Sequence, residues 1–137
     1  MSISHEWFDG PRLVIVTLRD ELNGQDLLEA YSRLCMDDRY YRGYHQLWDC
    51  RNISSCKVSP QDVDALKMMV GLYCPPDYKA AERRVAILVP QYSIFTATNG
   101  LLATMGIESS QRKVFRTFPA MKGWLGAVLN PGAAPGQ

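Results

Sequence analysis

The side chains that could do chemistry are concentrated in one polar stretch, LWDCRNISSCKVSPQDVDAL, between two apolar runs. Asp49, Arg51, Ser55 and Ser59 would form a polar rim at the carboxyl end of a central strand, where open α/β sheets bind ligands. A simpler interpretation is also available. Ser59 would cap a helix, Asp49 would accept backbone N–H bonds, and Arg51 would be solvated or paired with an acid. For each residue taken singly, the sequence favours the simpler interpretation.

Motifs for catalysis or metal binding are missing from the sequence. It contains no G-x-S-x-G, Walker or G-x-G-x-x-G pattern, and its two histidines have no evident partner for acid–base work. Cys50 and Cys56 lack the close spacing of a zinc site, and His45 on a strand does not complete one. The sequence therefore predicts a protein that is not an enzyme and that holds no cofactor and no metal.

Composition narrows the class of protein further. The chain has 137 residues, 47% of them hydrophobic, and 15 basic against 14 acidic side chains. That near-neutral balance argues against a dedicated nucleic-acid binder. The segment DDRYYRGYHQLW interleaves arginine and tyrosine as single-strand binders do, but Asp37 and Asp38 cancel its charge. No signal peptide and no apolar run of roughly 18 residues is present. We therefore expect a cytoplasmic protein with reduced thiols and no stable membrane insertion.

The secondary structure that would position these residues begins with a hairpin. Strands are predicted from Ile3 to Phe8 and from Arg12 to Leu18, and Asn23 is predicted to cap a helix. A loop is then predicted from Asp37 to Gly43, followed by a strand from Tyr44 to Trp48 and a helix from Ser59 to about Tyr73. A strand from Arg84 to Val89, a helix from Gln91 to Met105 and a short strand from Lys113 to Phe115 come next. The last predicted helix is capped by Thr117, and its core-facing residues are Met121, Trp124, Leu125 and Val128.

The order of these elements, ββαβαβαβα, predicts an α/β fold. Strands separated by helix-length crossovers form a largely parallel sheet, and the hairpin adds one antiparallel strand at an edge. We therefore predict a mixed, mostly parallel sheet of four to five strands with helices packed around it. One domain would span residues 1–129, and residues 130–137, NPGAAPGQ, would form a flexible tail.

Two predicted helices lack charge on their outer faces, which is unusual for surface helices. No charged residue occurs between Val85 and Ile107, and the preceding helix carries the run ALKMMVGLYC, in which Lys67 is the only charge. A second copy, another protein, or an apolar ligand held between the helices would cover such surfaces. The alternative is that the tail or loops of the chain itself cover them. The residues predicted to line this surface are Met68, Met69, Leu72, Tyr73, Tyr92 and Phe95.

Three segments resemble the SpoIIAA-like family of STAS-type domains, bacterial proteins related in fold to anti-sigma factor antagonists. They are the opening strand pair WFDGPRLVIVTLRDELNGQDL, the strand YHQLWDCRNI, and RVAILVP followed by RKVFRTFPAMKGWL. The likeness extends to about Leu129. It implies a four- to five-stranded mixed sheet surrounded by helices, and a binding or regulatory domain rather than an enzyme. Because such domains are also similar to the CRAL-TRIO lipid-carrier fold, it leaves room for an apolar ligand.

One departure from the family pattern concerns its phosphorylated serine. Anti-sigma factor antagonists carry Asp-Ser-Ser-Gly where this chain has Lys57-Val58-Ser59-Pro60, which argues against a kinase-driven switch. As a helix cap, Ser59 should tolerate replacement by aspartate, because both residues cap helices well. We therefore predict a non-enzymatic regulatory or protein-interaction domain, in bacterial signalling or stress response, that forms a homodimer or binds another protein. The alternative is a carrier or sensor of a small apolar molecule such as a lipid.

Overall fold

A computed structural model of the chain, described over residues 2–73, 83–92, 94 and 112–129, contains one five-stranded sheet. The strands lie side by side in chain order, with β1 antiparallel to β2 and all other neighbours parallel. This arrangement confirms the predicted mixed sheet with its antiparallel edge strand. The strands are β1 (Ser2–Phe8), β2 (Leu13–Asn23), β3 (His45–Lys57), β4 (Val85–Leu88) and β5 (Arg112–Phe115).

The helices begin at residues whose side chains accept backbone N–H bonds, as the sequence indicates. The side chain of Asn23 accepts from Asp26 N at 2.8 Å at the start of α1, and Thr117 accepts from Ala120 N at the start of α4. The predicted loop after α1 contains a single helical turn, because the Asp37 side chain caps it. The helices are α1 (Gly24–Cys35), α2 (Asp38–Tyr41), α3 (Pro60–Tyr73) and α4 (Phe118–Leu129).

Helices cover both faces of the sheet. Side chains alternate between the two faces along each strand, and both faces carry apolar residues that the helices bury. On one side, here called the α1/α3 face, Val14, Val16 and Leu18 of β2 pack with Leu34 of α1 and Leu66 of α3. On the other side, the α4 face, a second apolar cluster joins strand residues to α4. It consists of Leu13, Leu47, Ala86, Leu88, Phe115, Met121 and Leu125.

The last helix is placed as the sequence predicts, with one difference of degree. Leu125 and Met121 are buried, which confirms them as core residues. Trp124 is only half-buried, because it lies at the border of the cluster. The Arg84 guanidinium lies over the Trp124 ring, 4.9 Å from its centre, and donates to the backbone carbonyl oxygen of Trp124 at 2.7 Å. The Arg84 side chain therefore covers part of the ring that the core leaves open.

The two central strands are longer than the sequence predicts. β2 continues past Leu18 to Asn23, and β3 continues past Trp48 to Lys57. These extensions pair with each other beyond the end of β4, with register shifts between Thr17 and Arg19 and between Asp20 and Glu21. Such irregularities interrupt the two-residue alternation by which a strand is recognised in a sequence. Most of the segment between the predicted strand ending at Trp48 and the predicted helix starting at Ser59 is therefore strand.

Two sequence-based expectations fall outside the described part of the chain. They are most of the predicted helix from Gln91 to Met105 and the predicted flexible tail of residues 130–137. Within the described part, none of the helices combines the length and the hydropathy needed to cross a membrane.

Candidate functional site

Asp49 and Arg51 form an ion pair at the level where β4 and β5 end. Asp49 is paired in register with Leu88, the last residue of β4. The Arg51 guanidinium donates to both carboxylate oxygens of Asp49 at 2.9 Å, and the backbone N–H of Arg51 donates to one of them at 3.2 Å. These bonds hold the pKa of the Asp49 carboxyl below its usual value, against the opposing effect of burial, and nearby Arg19 acts in the same direction. Asp49 is therefore a charged anchor for Arg51.

Two exposed aromatic rings follow the ends of β4 and β5 in the chain, and each has an arginine stacked on it. The Arg51 guanidinium lies 5.4 Å from the ring centre of Phe118, the first residue of α4. Arg116, two residues before Phe118, lies 5.2 Å from the ring centre of Tyr92. Tyr92 is 65% exposed and Phe118 is 45% exposed. We call Arg51, Phe118, Arg116 and Tyr92 together the carboxyl-edge patch.

Backbone contacts hold the carboxyl-edge patch in place. The side-chain amide of Gln91 donates to the carbonyl oxygen of Ile53 at 2.7 Å, which ties the residue before Tyr92 to the extension of β3. Arg116 also donates to the carbonyl oxygen of Pro90 at 3.5 Å. The patch thus draws on β3 (Arg51), on the segments that follow β4 and β5 (Tyr92 and Arg116) and on the start of α4 (Phe118).

Ser59 forms a reciprocal cap at the start of α3. Its hydroxyl accepts from Asp62 N at 3.2 Å, while its own backbone N–H and hydroxyl donate to Asp62 Oδ2, each at 2.8 Å. These bonds hold the pKa of Asp62 below its usual value. Gly24 at the start of α1 leaves room for this carboxylate, since a Cβ atom there would collide with it. The capping role of Ser59 is confirmed. The backbone N–H and the hydroxyl of Ser59 are both bonded to the Asp62 carboxylate.

The two cysteine thiols of β3 are held in their protonated form at neutral pH. Burial raises the pKa of the Cys50 thiol to about 12, and burial also raises the pKa of Cys56. Both histidines lie elsewhere. His5 bonds to the Ala30 carbonyl oxygen, and His45 is the first residue of β3, at the amino end of the central strand. The chemistry that the carboxyl-edge patch does offer is stacking, apolar contact and hydrogen-bond donation from guanidinium groups.

Helix α3 divides the apolar residues that the sequence assigns to one surface. Met68 and Leu72 are 68% and 72% exposed on its outer side, and we call these two residues the α3 outer face. Met69 instead packs against the core of the α1/α3 face. The side chain of Tyr73 and the whole of Phe95 lie outside the described part of the chain.

The sequence-predicted rim is only partly assembled by the structure. Asp49 and Arg51 are brought together, but Ser55 is half-buried in the extension of β3, opposite Glu21. Tyr92 belongs to the carboxyl-edge patch rather than to the α3 outer face. Arg116 and Phe118 were not predicted as site residues from the sequence. The only local signal for them was a large apolar residue directly after the predicted cap Thr117, at a position that faces away from the core.

Several of the arginines and tyrosines between Asp37 and Trp48 instead make contacts within the domain. The Tyr44 hydroxyl donates to Asp9 at 2.7 Å, and Arg39 bonds to both Asp37 and Asp9. The hydroxyl of Tyr40 lies 2.8 Å from that of Tyr31 in the core. This segment therefore attaches the β1–β2 hairpin to the body of the domain.

Comparison with known proteins relates this architecture to one fold. No protein-family model and no curated protein matches the chain. Among solved structures, it is similar to an uncharacterized DUF3478-family protein with a SpoIIAA-like fold from Shewanella loihica PV-4. That match has a TM-score of 0.53 and 18% sequence identity, and it covers 90% of this chain and 92% of the other. A second match is the anti-sigma factor antagonist SpoIIAA in its unphosphorylated form, with a TM-score of 0.48 and 12% identity over 72% of this chain and 82% of the other.

The class of protein follows from the sheet order and from the first of these matches. The chain is an α/β domain with a mixed five-stranded sheet covered on both faces. It has the SpoIIAA-like fold, which confirms the resemblance found in the sequence at the level of the fold.

Proposed function

We propose that this chain is a non-enzymatic docking domain that binds another protein through the carboxyl-edge patch. The observation that carries the proposal is the pair of exposed rings, Tyr92 and Phe118, each stacked against an arginine. Tyrosine and arginine are among the residue types enriched at binding hot spots. A SpoIIAA-like fold is compatible with a regulatory role of the STAS type, in bacterial signalling or stress response.

The chemistry of the patch supports recognition of a protein segment. Asp49 and Arg51 neutralise each other, so the net positive charge of the patch is that of Arg116. A complementary segment would place apolar side chains against the two rings and a carboxylate near Arg116. Because these side chains are already held by stacking and hydrogen bonds, little conformational entropy is lost on binding.

The capping geometry supports a surface that works without modification of Ser59. The Asp62 carboxylate accepts both donors of Ser59. A phosphoryl group on Ser59 would have to displace this carboxylate and then lie beside its negative charge. The sequence departure at Lys57 to Pro60 points in the same direction.

The α3 outer face is a second, weaker element of this proposal. Two large flexible apolar side chains on one exposed helical side suit an adaptable contact. Met69, by contrast, contributes to the core. The reduced thiols of Cys50 and Cys56 suit the reducing cytoplasm that the sequence predicts.

Affinity purification from an extract of the organism that encodes the chain tests the docking proposal. We expect Phe118→Asp and Tyr92→Asp to lose the same bound protein, because each removes one aromatic ring and adds a negative charge that repels the partner's carboxylates. Met36→Asp is the matched control, since Met36 is an 83% exposed apolar residue at the far end of α1. Circular dichroism and thermal unfolding of all three variants establish that they are folded.

Two results would count against this function. One is a set of bound proteins that does not differ between Phe118→Asp, Tyr92→Asp and Met36→Asp. The other is a small apolar molecule, seen by native mass spectrometry of the purified chain and displaced from none of the three variants. The second result would favour the alternative, a carrier or sensor of a small apolar molecule such as a lipid.

A further inference from the structure

The two edges of the sheet differ in how well they are protected against pairing. An edge strand presents a row of backbone N–H and C=O groups, and proteins protect such edges with short strands, charges, proline or bulges. β5 is four residues long and begins with Arg112 and Lys113. β1 is seven residues long, contains neither proline nor lysine, and pairs with β2 in continuous register from Ser2 to Phe8. Within the described residues, no strand lies on the outer side of β1.

The side chains of β1 alternate between the two faces of the sheet. Ile3 and Trp7 pack against the core of the α1/α3 face and are half-buried, and His5 on the same face bonds to Ala30. Ser4 and Glu6 point to the opposite face and are exposed. A strand added to this edge would therefore meet an apolar and a polar set of side chains on opposite faces.

We infer that β1 pairs antiparallel with β1 of a second copy of the chain, which joins the two sheets into one sheet of ten strands. The two-fold axis passes through His5. This register pairs all seven residues of both strands, whereas a shift by one residue-pair in either direction leaves two residues of each strand unpaired. Antiparallel strands related by such an axis keep corresponding faces on the same side, so the α1/α3 faces of the two copies are continuous.

The sequence of β1 complements itself in this register. Ile3 lies opposite Trp7 of the second copy, and a β-branched residue beside an aromatic one is a favourable cross-strand pair. Ser4 lies opposite Glu6 of the second copy, where its hydroxyl is able to donate to the carboxylate. Each pair occurs twice in the dimer. A shift that centres the axis on Glu6 would place two carboxylates directly opposite each other, which is unfavourable.

Charge substitutions at Ser4 test both the dimer and its register by sedimentation over a wide range of concentration. Ser4→Glu places like charges opposite each other twice per dimer and is expected to weaken association roughly 3- to 30-fold, whereas Ser4→Lys is expected to strengthen it by a similar factor. The double variant Ser4→Glu with Glu6→Lys should restore association. Ser4 and Glu6 are exposed, so folding of the variants is retained and is checked by circular dichroism.

Hydrogen exchange provides an independent readout of the same interface. Amide protons of β1 that point away from β2 should exchange more slowly as the concentration rises in the wild type, and less so in Ser4→Glu. A monomer at every concentration would overturn the inference. So would a dimer that responds equally to both Ser4 variants, or one that is dissociated by Leu72→Glu alone, because the latter would place the two-fold axis on the α3 outer face.

Discussion

Asp62 is the residue on which the junction between α1 and α3 depends. Its carboxylate accepts from the backbone and the hydroxyl of Ser59, and it lies against Gly24 at the first position of α1. The starts of α1 and α3 therefore meet where the Asp62 side chain lies against Gly24, which has no side chain.

Replacing glycine by alanine should have opposite effects in α1 and α4. Gly24→Ala is expected to lower the free energy of unfolding by about 1 kcal/mol, because the new methyl group displaces the Asp62 carboxylate from its capping position. Gly123→Ala should raise it by up to about 1 kcal/mol, since nothing lies within 4 Å of a Cβ atom there. Urea unfolding of both variants measures the difference. Changes of the same sign would contradict this account of Gly24.

Substitutions at Ser59 should separate capping from charge. Ser59→Ala is expected to cost about 1 kcal/mol, and Ser59→Asn much less, because asparagine also caps helices. The sequence alone predicts that aspartate is tolerated. With Asp62 Oδ2 2.8 Å from the Ser59 hydroxyl, we now expect Ser59→Asp to be destabilising. Adding Asp62→Asn should relieve that cost in urea unfolding at neutral pH, and an unrelieved cost would show that the two carboxylates do not meet.

At the scale of elements, α3 contributes to the core along one side and to the surface along the other. Leu66 is buried, whereas Leu72 on the same helix is 72% exposed. We expect Leu66→Ala to cost about 2–5 kcal/mol and Leu72→Ala to change stability by less than about 0.5 kcal/mol. Thermal or urea unfolding of this matched pair checks the rotation of the helix. Similar losses at both positions would show that Leu72 is covered.

The two histidines each join a strand to a neighbouring element and should make stability depend on pH. His5 donates to the Ala30 carbonyl oxygen, and His45 Nδ1 accepts the backbone N–H of Arg84. Burial lowers the pKa of both below the usual 6.5, and the arginines around His45 lower its pKa further. The unfolded chain therefore binds protons that the folded chain does not, as the pH falls.

We expect the stability contributed by the two neutral histidines to be fully present above pH 6.5. That contribution is lost as the pH falls below 6.5 through their lowered pKa values in the folded state. Asp9, Asp37, Asp49 and Asp62, whose pKa values are also lowered, act only at still lower pH, below their usual 3.8. Urea unfolding across this range measures the slope. His45→Asn, in which an amide oxygen replaces Nδ1 as acceptor, should reduce the slope, and an unchanged slope would exclude His45 as a contributor.

At the scale of the whole molecule, the two proposed contacts use different parts of the sheet. Self-association uses the outer edge of β1, and docking uses the carboxyl-edge patch, which lies on β3 and after the ends of β4 and β5. The pairing of β1 with a second copy leaves the carboxyl-edge patch of each copy accessible. A dimer would therefore present two docking sites on one continuous sheet.

Because the surfaces are separate, their substitutions should act independently. We expect Ser4→Glu to weaken self-association without changing the affinity of a single site for the captured partner. Phe118→Asp should abolish partner binding and leave the sedimentation of the chain unchanged. Sedimentation and binding measured on both variants and on their combination check this independence. A loss of partner binding in Ser4→Glu would instead mean that the docking site spans two copies.

Much of the fold was predictable from the sequence because its determinants are local. The caps formed by Asn23, Ser59 and Thr117 bond within three residues of themselves, and the parallel pairing of β2 to β5 follows from helix-length separations between apolar runs. The extensions of β2 and β3 were not predictable. Their register shifts remove the alternation, and only their mutual pairing makes them strands.

The sequence by itself determined the α/β class, the antiparallel edge strand and the helix starts, because each depends on periodicity or on hydrogen bonds between near neighbours. Only the tertiary structure brought Arg51 onto Phe118 and Arg116 onto Tyr92, since each stacked pair joins residues far apart in the chain. The same holds for the separation of Met68 from Met69. Which side of a helix is covered depends on the neighbours that pack against it, and periodicity does not specify those neighbours.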